Sequence, residues 1–504
     1  MRHKGSIHQR GARNPRTSSI SSEDLGGWSP LITLHTPNTG FMEADAKIAF
    51  GLARVALELT ATGQLAIRPH QGVYQVRLDM RGEDVTKLDQ SFRLLCSRVL
   101  SSERRYMLPG VQPKYRALYK ERVTAIARGE VKFSLVDMYR GIVGGESSLF
   151  TLKCNHKDLP SFGGVDGGFL LGFSGHVGKP YARDKVSGRK NLGLCVVCSA
   201  LSMLGMQCSS IEVSLGANAT VTMFPLPLGN VNLRDFNYLV SAVKTFPYQW
   251  FNAVPGQLMP LVAVAHHPQL ASAMKHAEYL GSIHVFQQQK GAWTVRSSAT
   301  IRLRPIVDFV LWGAFNQAVV SRLVSRTRDR PSKVGPLLEL FYALLGESLS
   351  DRRTHAMNFS RAYVKDLSPE TSDMAYALLY PQTAAFLLME VGAVDESLVK
   401  NESVLNVARM LNYFVRSRNY GYVDSIRNAR DHLTFKDTLV KALREAQTRR
   451  AAGEFVHIPS SLDLQEVSRF AESSDMFQDV KLTLSMLALS YIPARAEKED
   501  QGGK

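Results

Sequence analysis

One stretch of the chain, residues 163–205, joins a glycine-rich basic segment to a close pair of cysteines and an apolar helix. Cys195 and Cys198 are separated by two valines, which is the spacing of two zinc ligands in a tight turn. A structural zinc site needs two further ligands to complete its tetrahedron, and Cys154 and His156 in Lys-Cys-Asn-His are the best candidates. The pattern predicts a zinc-knuckle-like insertion over about residues 154–206.

A second interpretation of the same cysteines stays open at this point. Cys195, Cys198 and Cys208 flank an apolar run at 201–206, and free cysteines are often small core residues around a buried helix. Cys208 also competes with the other cysteines as a ligand. Cys96 lies inside an apolar helix predicted over 92–100, and it is expected in the core.

The charge of the chain favours a polyanionic partner. It carries 61 Lys and Arg residues against 45 Asp and Glu residues, a formal net charge of +16. Such an excess is typical of proteins that bind nucleic acid or an anionic surface, although a merely basic exterior is the plain alternative. With 504 residues and 45% hydrophobic content, the chain is long enough for roughly two to four folded domains.

Cysteine usage and hydropathy predict a cytoplasmic protein that does not enter a membrane. Five cysteines, an odd number, do not suggest a disulfide framework, and no apolar signal segment follows the basic residues 1–16. The longest apolar window, 375–394, is interrupted by Pro381, Gln382 and Glu390. It therefore predicts a buried helix pair instead of a membrane span.

Hydrophobic periodicity predicts an α+β fold, with a mixed N-terminal body that contains antiparallel strands, followed by an α-helical bundle. The predicted parts are a basic flexible arm (1–28), a mixed nucleic-acid-binding body (29–320), a basic linker (321–335), the C-terminal helical bundle (336–492) and a polar tail (493–504).

Individual elements can be predicted in both parts. In the body, periodicity indicates a helix over 44–59, a strand over 73–80, and hairpins that pair 211–215 with 220–224 and 283–286 with 293–296. In the bundle, Val404, Val407, Leu411 and Phe414 make one apolar stripe. A second helix, over 434–450, has mainly basic residues on its outer face.

Catalytic motifs are absent from the sequence. The run from Gly172 to Lys179 has five residues between its glycines where a phosphate-binding loop has four, and Pro180 replaces the Ser or Thr that binds magnesium. No nucleotide cofactor is therefore expected. His266 and His267 are interpreted as neighbours on a strand, where they face opposite sides and make poor co-ligands. No catalytic residue is expected.

Basic residues form three groups along the chain that are expected to contact nucleic acid. Glycines let the backbone approach phosphate closely, and basic side chains can follow a sugar-phosphate chain. The alternative is that these charges simply face water. The expected contacts are Lys179, Arg183, Lys185, Arg189, Lys190, Arg322, Arg326, Arg328, Arg330, Arg416, Arg418, Arg427, Arg430, Lys441 and Arg444.

Two stretches resemble a known family. Residues 195–205, Cys-Val-Val-Cys-Ser-Ala-Leu-Ser-Met-Leu-Gly, follow Gly-Arg-Lys at 188–190 and are similar to the large subunit of type I CRISPR Cascade complexes, especially of subtypes I-A and I-B. Residues 413–418 and 422–431 resemble the C-terminal helical region of that family, which is like its separate small subunit. The order of parts agrees over most of the chain, although many relatives carry two Cys-x-x-Cys pairs and this chain has one.

The resemblance implies a noncatalytic subunit in antiviral defence. Such a subunit binds the 5′ handle of a guide RNA, recognises a short motif beside the target in double-stranded DNA, and stabilises the opened strands. The implied partners are guide RNA, target DNA, the other Cascade subunits and a separate helicase-nuclease. The difference in Cys-x-x-Cys pairs bears on zinc and not on the fold.

Two other functions are compatible with the same residues. The first is a zinc-dependent nucleic-acid-processing enzyme with Cys154, His156, Cys195 and Cys198 around a catalytic metal. It would require a nearby acid as a proton shuttle, and Asp158, Asp166 and Asp184 do not lie in a recognisable motif. The second is a general basic ribonucleoprotein scaffold, which would bind RNA without a preference among flanking DNA sequences.

Overall fold

In a computed structural model of the chain, the residues whose structure can be described are 31–39, 41–59, 65–79, 82–100, 116–141, 154, 156, 158–160, 194–214, 219–245, 256–266, 268–289, 292–311, 335–366, 388–389 and 392–490. They form two four-stranded antiparallel sheets together with many helices, so the fold class is α+β, as the sequence predicts. None of the described helices is both long and apolar enough to cross a membrane.

The elements of the N-terminal part, in chain order, are β1 (Leu31–His35), α1 (Met42–Leu57), β2 (Leu65–His70), β3 (Val73–Asp79), α2 (Gly82–Leu95), α3 (Arg116–Ala127), α4 (Leu135–Tyr139), α5 (Val196–Ser209), β4 (Ile211–Ser214), β5 (Ala219–Pro227), β6 (Val231–Asn232), α6 (Leu233–Thr245), α7 (Met259–His266), α8 (Pro268–His276), β7 (Tyr279–Gln289), β8 (Ala292–Arg302) and α9 (Arg304–Leu311). A π-helical turn at Cys96–Leu100 extends α2, and a 3-10 turn at Gly256–Leu258 precedes α7. The C-terminal part consists of α10 (Gly335–Leu345), α11 (Leu349–Asp366), α12 (Glu396–Lys400), α13 (Glu402–Arg416), α14 (Gly421–Asn428), α15 (His432–Ala451), α16 (Ser461–Glu472) and α17 (Phe477–Ser490).

The first sheet has the strand order β1-β3-β2-β6. Its central hairpin pairs His70 with Val73, so Gln71 and Gly72 form a two-residue turn. Both turn residues have positive φ, 49° and 80°, which is the type I′ geometry that matches the twist of paired strands. The strand predicted over 73–80 is confirmed as β3.

The second sheet has the strand order β4-β5-β7-β8, and both hairpins predicted for this region are confirmed. The strands are longer than predicted, because β7 and β8 extend over 11 residues each. The register between them shifts once, between Val285 and Phe286. A local irregularity of this kind interrupts the alternation from which strand length is predicted.

Two buried helices, α1 and α5, form the centre of the N-terminal part. Every residue of α5 is buried, and so is most of α1. The helix backbones touch at two glycines, because a Cβ atom on Gly51 or on Gly205 would overlap the carbonyl oxygen of Leu201 or Lys47 respectively. This contact holds α5 at a fixed place in the core.

The predicted bundle helices are confirmed as α13 and α15. Val404, Val407, Leu411 and Phe414 are all buried in one hydrophobic stripe, as expected. In α15, the buried Leu439 and Ala446 lie on the opposite face from the exposed basic residues. The last helix, α17, is buried along nearly its whole length among the others.

The interpretation of His266 as a strand residue is wrong. His266 ends helix α7, and the residues from Leu261 to Ala265 that precede it are all buried in that helix. A short apolar run buried on every side has no alternation, so it looks the same as a strand or as a helix. His267, residues 1–28, most of the 321–335 linker, most of the 375–394 window and the polar tail lie outside the described residues.

Candidate metal centre

Four side chains that are distant in the sequence meet at the first turn of α5. Cys154 and His156 come from a segment before the glycine-rich stretch, and Cys195 and Cys198 come from the start of α5. Their donor atoms all lie within 4.8 Å of one another, so the group can hold a metal ion. The structure brings together the four residues that the sequence predicts as ligands.

Backbone hydrogen bonds set the positions of the sulfur atoms. Cys195 is the N-cap of α5, and its Sγ accepts a hydrogen bond from the Cys198 N–H at 3.4 Å. The Cys195 N–H donates to Cys154 Sγ at 3.1 Å, and the Val196 N–H donates to the Pro160 carbonyl at 2.9 Å. A backbone N–H that donates to a sulfur stabilises its thiolate form, which is the form that binds a metal.

The ring of His156 is held in one orientation. Its Nε2 lies 3.1 Å from the Met138 carbonyl, which can only accept, so Nε2 carries the proton. Nδ1 is then the unprotonated nitrogen, and it lies 3.3 Å from Cys198 Sγ and 3.7 Å from Cys195 Sγ. Fixing the tautomer of a ligand histidine through its second nitrogen is a common feature of metal sites.

Tyr139, at the end of α4, is a member of the site that sequence reasoning missed. Its buried hydroxyl lies 3.0 Å from Cys198 Sγ, and its ring contacts the His156 ring edge-on, with centroids 5.3 Å apart. Ser134 caps α4 by accepting from the Asp137 N–H, which fixes the short helix that carries Tyr139. A lone tyrosine in an apolar segment has no spacing signal that could have revealed this contact.

The pKa values of the four donor groups are shifted in different directions. Hydrogen bonds from Cys195 and Cys198 hold the pKa of Cys154 well below its usual range, although burial opposes this effect. The hydrogen bond to Cys154 raises the pKa of Cys195, and burial raises that of Cys198. Burial by itself would lower the pKa of His156, but the Cys154 thiolate and the Met138 carbonyl raise it overall. Negative charge is thus concentrated on Cys154, and a cation that binds the cluster would replace the protons of Cys195 and Cys198.

The remaining cysteines lie elsewhere in the core. Cys208, at the far end of α5, donates through its thiol to the Gly205 carbonyl, and Cys96 is buried in the π-helical turn. The interpretation of Cys208 as a core residue is therefore confirmed, as is that of Cys96. Cys195 and Cys198 are also buried, but their sulfur atoms face the cluster.

The basic residues expected to contact nucleic acid fall into three sets. Lys179, Arg183, Lys185, Arg189, Lys190, Arg322, Arg326, Arg328 and Arg330 lie outside the described residues. Arg416, Arg418, Arg430, Lys441 and Arg444 are exposed on the bundle, and Lys441 pairs with Asp437 at 2.7 Å.

Arg427 is the exception, and the expectation for it needs correction. It is only 6% exposed, and its guanidinium donates to Asp424 and to Ser360 Oγ. Burial lowers the pKa of Arg427, and the neighbouring Arg361 adds to this effect. An arginine on an amphipathic helix is more often exposed, but Arg427 faces inward and joins α14 to α11.

No protein-family model matches the chain, and no curated protein matches it at a significant level.

Proposed function

We propose that this chain is the noncatalytic large subunit of an RNA-guided DNA surveillance complex, and that a zinc knuckle supports its nucleic-acid-binding segment. The observation that carries the proposal is the way the Cys-His cluster joins two parts of the chain. Two ligands precede residues 161–193 and two follow them, and the Pro160 carbonyl accepts from the Val196 N–H. Both ends of this basic segment therefore start from one fixed point on α5.

Zinc is the metal that this donor set fits best. Three thiolates and one imidazole are soft and borderline ligands, and tetrahedral sites of this composition are typical of zinc. In such a tetrahedron the sulfur atoms lie about 3.8 Å apart, given Zn–S bonds of about 2.3 Å. The spacing of the donors, all within 4.8 Å, is compatible with that geometry.

The composition of the cluster supports a structural role for the metal. Four protein ligands fill a tetrahedron, whereas a catalytic zinc keeps one position for water or substrate. Within the described part of the chain, the cluster contains no Asp or Glu that could move a proton. Tyr139 does not serve as a base either, because burial raises its pKa well above the usual range.

Holding both ends of residues 161–193 at the Cys-His cluster favours nucleic-acid binding by this segment. The sequence of residues 161–193 includes five expected phosphate contacts, namely Lys179, Arg183, Lys185, Arg189 and Lys190. A chain segment whose two ends are fixed has less conformational entropy to lose when it binds a partner. The exposed basic residues of the bundle add further phosphate contacts along the same nucleic acid.

In such a complex the guide RNA and the protein recognise different features of the target. Pairing between the guide RNA and the target strand reads a long sequence, while the protein reads a short duplex motif and the shape of the backbone. The partners are thus guide RNA, double-stranded target DNA and the other subunits of the complex. A separate helicase-nuclease, recruited after target binding, supplies the catalysis in a cytoplasmic setting.

The deciding experiment is to purify the tagged chain together with the products of its genomic neighbours and to sequence the RNA that travels with it. We expect short RNAs of uniform length with one constant 5′ handle followed by variable sequence. RNA of mixed length and origin would contradict the guided role and favour a general scaffold. Turnover of nucleic acid by the purified chain alone would favour a zinc enzyme instead.

A second experiment tests the basic segment. Arg189→Ala combined with Lys190→Ala should make the salt dependence of DNA binding shallower, by about 0.9 in slope for each lost phosphate contact. The matched control is Arg128→Ala with Lys132→Ala, which removes two exposed cations of the body that are outside the expected set. An equal change of slope in both pairs would count against a specific role for residues 161–193.

Metal analysis of the purified chain tests the knuckle. We expect one zinc per chain, retained in Cys208→Ser and lost in Cys198→Ser, because Cys208 is buried outside the cluster. Substitution by cobalt should give the thiolate charge-transfer bands of a tetrahedral site. A chain that is folded and holds no metal, even after growth with added zinc, would refute the knuckle.

A further inference from the structure

One aromatic side chain in the connection between α15 and α16 is almost fully exposed to solvent. Phe455 is 96% exposed, and it is the most exposed large apolar residue among those described. Leu462, in the first turn of α16, is 73% exposed. Burying a phenylalanine side chain is worth about 1.5–3 kcal/mol, so a folded chain that leaves one in water forgoes that stabilisation.

The backbone on both sides of Phe455 is fixed. Helix α15 ends in a tight turn in which Gly453, with φ of 87°, donates to the Arg450 carbonyl and Glu454 donates to the Arg449 carbonyl. A left-handed glycine with these two hydrogen bonds is a common helix stop. The helix ends at this turn, and Phe455 follows directly after Glu454.

Side chains hold the neighbours of Phe455 as well. The Glu454 carboxylate accepts hydrogen bonds from the Tyr413 hydroxyl and from Arg449, the latter at 3.2 Å. Val456, on the other side, is buried. Phe455 thus stands between two anchored residues, so its exposure is a property of the folded connection.

Basic side chains outnumber acidic ones on the helix that leads to Phe455. The carbonyl of Arg450 accepts from the Gly453 N–H in the turn just before Phe455. The pKa of the nearby His457 is lowered by burial, by Arg409 and by Arg450, although Asp463 acts in the opposite direction. Helix α15 carries five Lys and Arg residues against two acids. Of those acids, Asp437 pairs with Lys441, while Glu445 accepts from Tyr422 and pairs with Arg449.

Helix α15 therefore carries cations that have no acidic partner in the described part of the chain. Lys436, Arg444 and Arg450 are exposed, and none of them forms an ion pair with any described residue. An apolar partner would leave these charges partly desolvated and without counterions. A polyanion with flat apolar groups would satisfy both the ring and the cations.

We infer that Phe455 is a stacking platform for a base of single-stranded nucleic acid, whose phosphates lie against Arg450 and Arg444. Every base has a π-face, so an exposed aromatic ring beside cations binds single strands with little sequence preference. The inference rests on nucleic-acid binding by the chain as proposed above, but it needs neither a guide RNA nor the zinc knuckle. Duplex DNA has its bases stacked internally, so Phe455 should discriminate single strands from duplex.

The test uses the full-length chain and a fluorescently labelled oligothymidine longer than the roughly 4–16 nucleotides that such a site covers. Phe455→Ala should weaken binding by about 5- to 150-fold, the equivalent of the 1–3 kcal/mol of one stacked base. Phe455→Trp should bind at least as well as the unsubstituted chain. Leu462→Ala is the matched control, because it removes an exposed apolar side chain that has no π-face.

A strand of the same length with abasic sugars separates stacking from charge. On that strand the unsubstituted chain and Phe455→Ala should bind equally, whereas Arg450→Ala should lower the salt slope by about 0.7 on both strands. Because Phe455 is exposed, its replacement should leave the melting temperature unchanged. A melting temperature that falls would mean that the ring packs inside the protein, which would overturn the inference.

The remaining outcomes distinguish the two proposals. If the unsubstituted chain binds oligothymidine and Phe455→Ala binds it equally well, the platform is refuted and the proposed function stands. If neither the chain nor its complex binds any nucleic acid, the proposed function is refuted, and the inference about Phe455 is refuted with it. If Phe455→Ala instead abolishes self-association seen in sedimentation, the ring is a contact between copies of this chain and the inference is wrong.

Discussion

Gly205 of α5 lies directly against the backbone carbonyl of Lys47 in α1, with no room for a Cβ atom between them. The contact places the helix that begins with two of the candidate metal ligands on the central helix of the core. The candidate metal centre and the core of the N-terminal part therefore share one packing arrangement.

The first prediction concerns this contact. Gly205→Ala should lower the free energy of unfolding by about 1–3 kcal/mol or more, because overpacking forces the two helix backbones apart. The readout is the melting temperature. Gly141→Ala is the control, since a Cβ atom there meets nothing within 4 Å and the change should be close to neutral. Equal melting temperatures for the two variants would contradict the close contact.

The second prediction concerns the tyrosine beside the metal ligands. Tyr139→Phe removes the hydroxyl that lies 3.0 Å from Cys198 Sγ, and zinc affinity should fall by about 10- to 100-fold while the fold is kept. Competition with a chelator of known affinity measures the change. Tyr119→Phe is the matched control, because this buried hydroxyl has no hydrogen-bond partner among the described residues. A similar loss in both variants would show that general packing is responsible.

The third prediction is a pH dependence of stability set by one partly buried acid, Glu212. Burial on β4 raises the pKa of Glu212 from 4.5 to about 8. Between these two pKa values the unfolded chain releases the proton and the folded chain keeps it. The free energy of unfolding therefore falls as the pH rises, by about 1.4 kcal/mol for each pH unit over which the two states differ by one whole proton. Above about pH 8 both forms are ionised and the effect is constant.

Glu212→Gln keeps the shape of the neutral acid and cannot ionise. Its melting temperature relative to the unsubstituted chain should therefore rise from pH 4.5 to about 8 and then level off. Glu472→Gln, at an exposed site, should follow the unsubstituted chain at every pH. A difference between Glu212→Gln and the unsubstituted chain that does not change with pH would contradict the shifted pKa.

The fourth prediction compares two arginines of the helical bundle. Arg427→Ala leaves the buried Ser360 Oγ and the partly exposed Asp424 carboxylate without their partner, and should destabilise the chain by about 1–3 kcal/mol. Arg430→Ala, three residues along and exposed, should leave stability unchanged and instead weaken nucleic-acid binding. Thermal unfolding and a salt titration of binding measure the two effects. If the Arg427→Ala chain is fully stable but binds nucleic acid more weakly, Arg427 contacts the nucleic acid and this prediction is wrong.

Much of the secondary structure follows from local pattern. The alternation at 73–80 predicts β3, and the spacing of Val404, Val407, Leu411 and Phe414 predicts α13, because each pattern is decided by neighbours within one or two turns of chain. His266 shows the limit of this reasoning. An apolar run that is buried on all sides carries no period, so its neighbours cannot distinguish α7 from a strand.

The amino-acid sequence by itself determined the α+β class, the helical bundle and the four metal-ligand candidates, since these follow from periodicity and from ligand chemistry at close spacing. Only the tertiary structure decided that Cys154 and His156 meet Cys195 and Cys198, that Tyr139 supports them, and that Arg427 faces inward while Phe455 faces out. Such contacts join residues tens of positions apart. They depend on how helices pack, as at Gly205 and Lys47, and no local pattern carries that information.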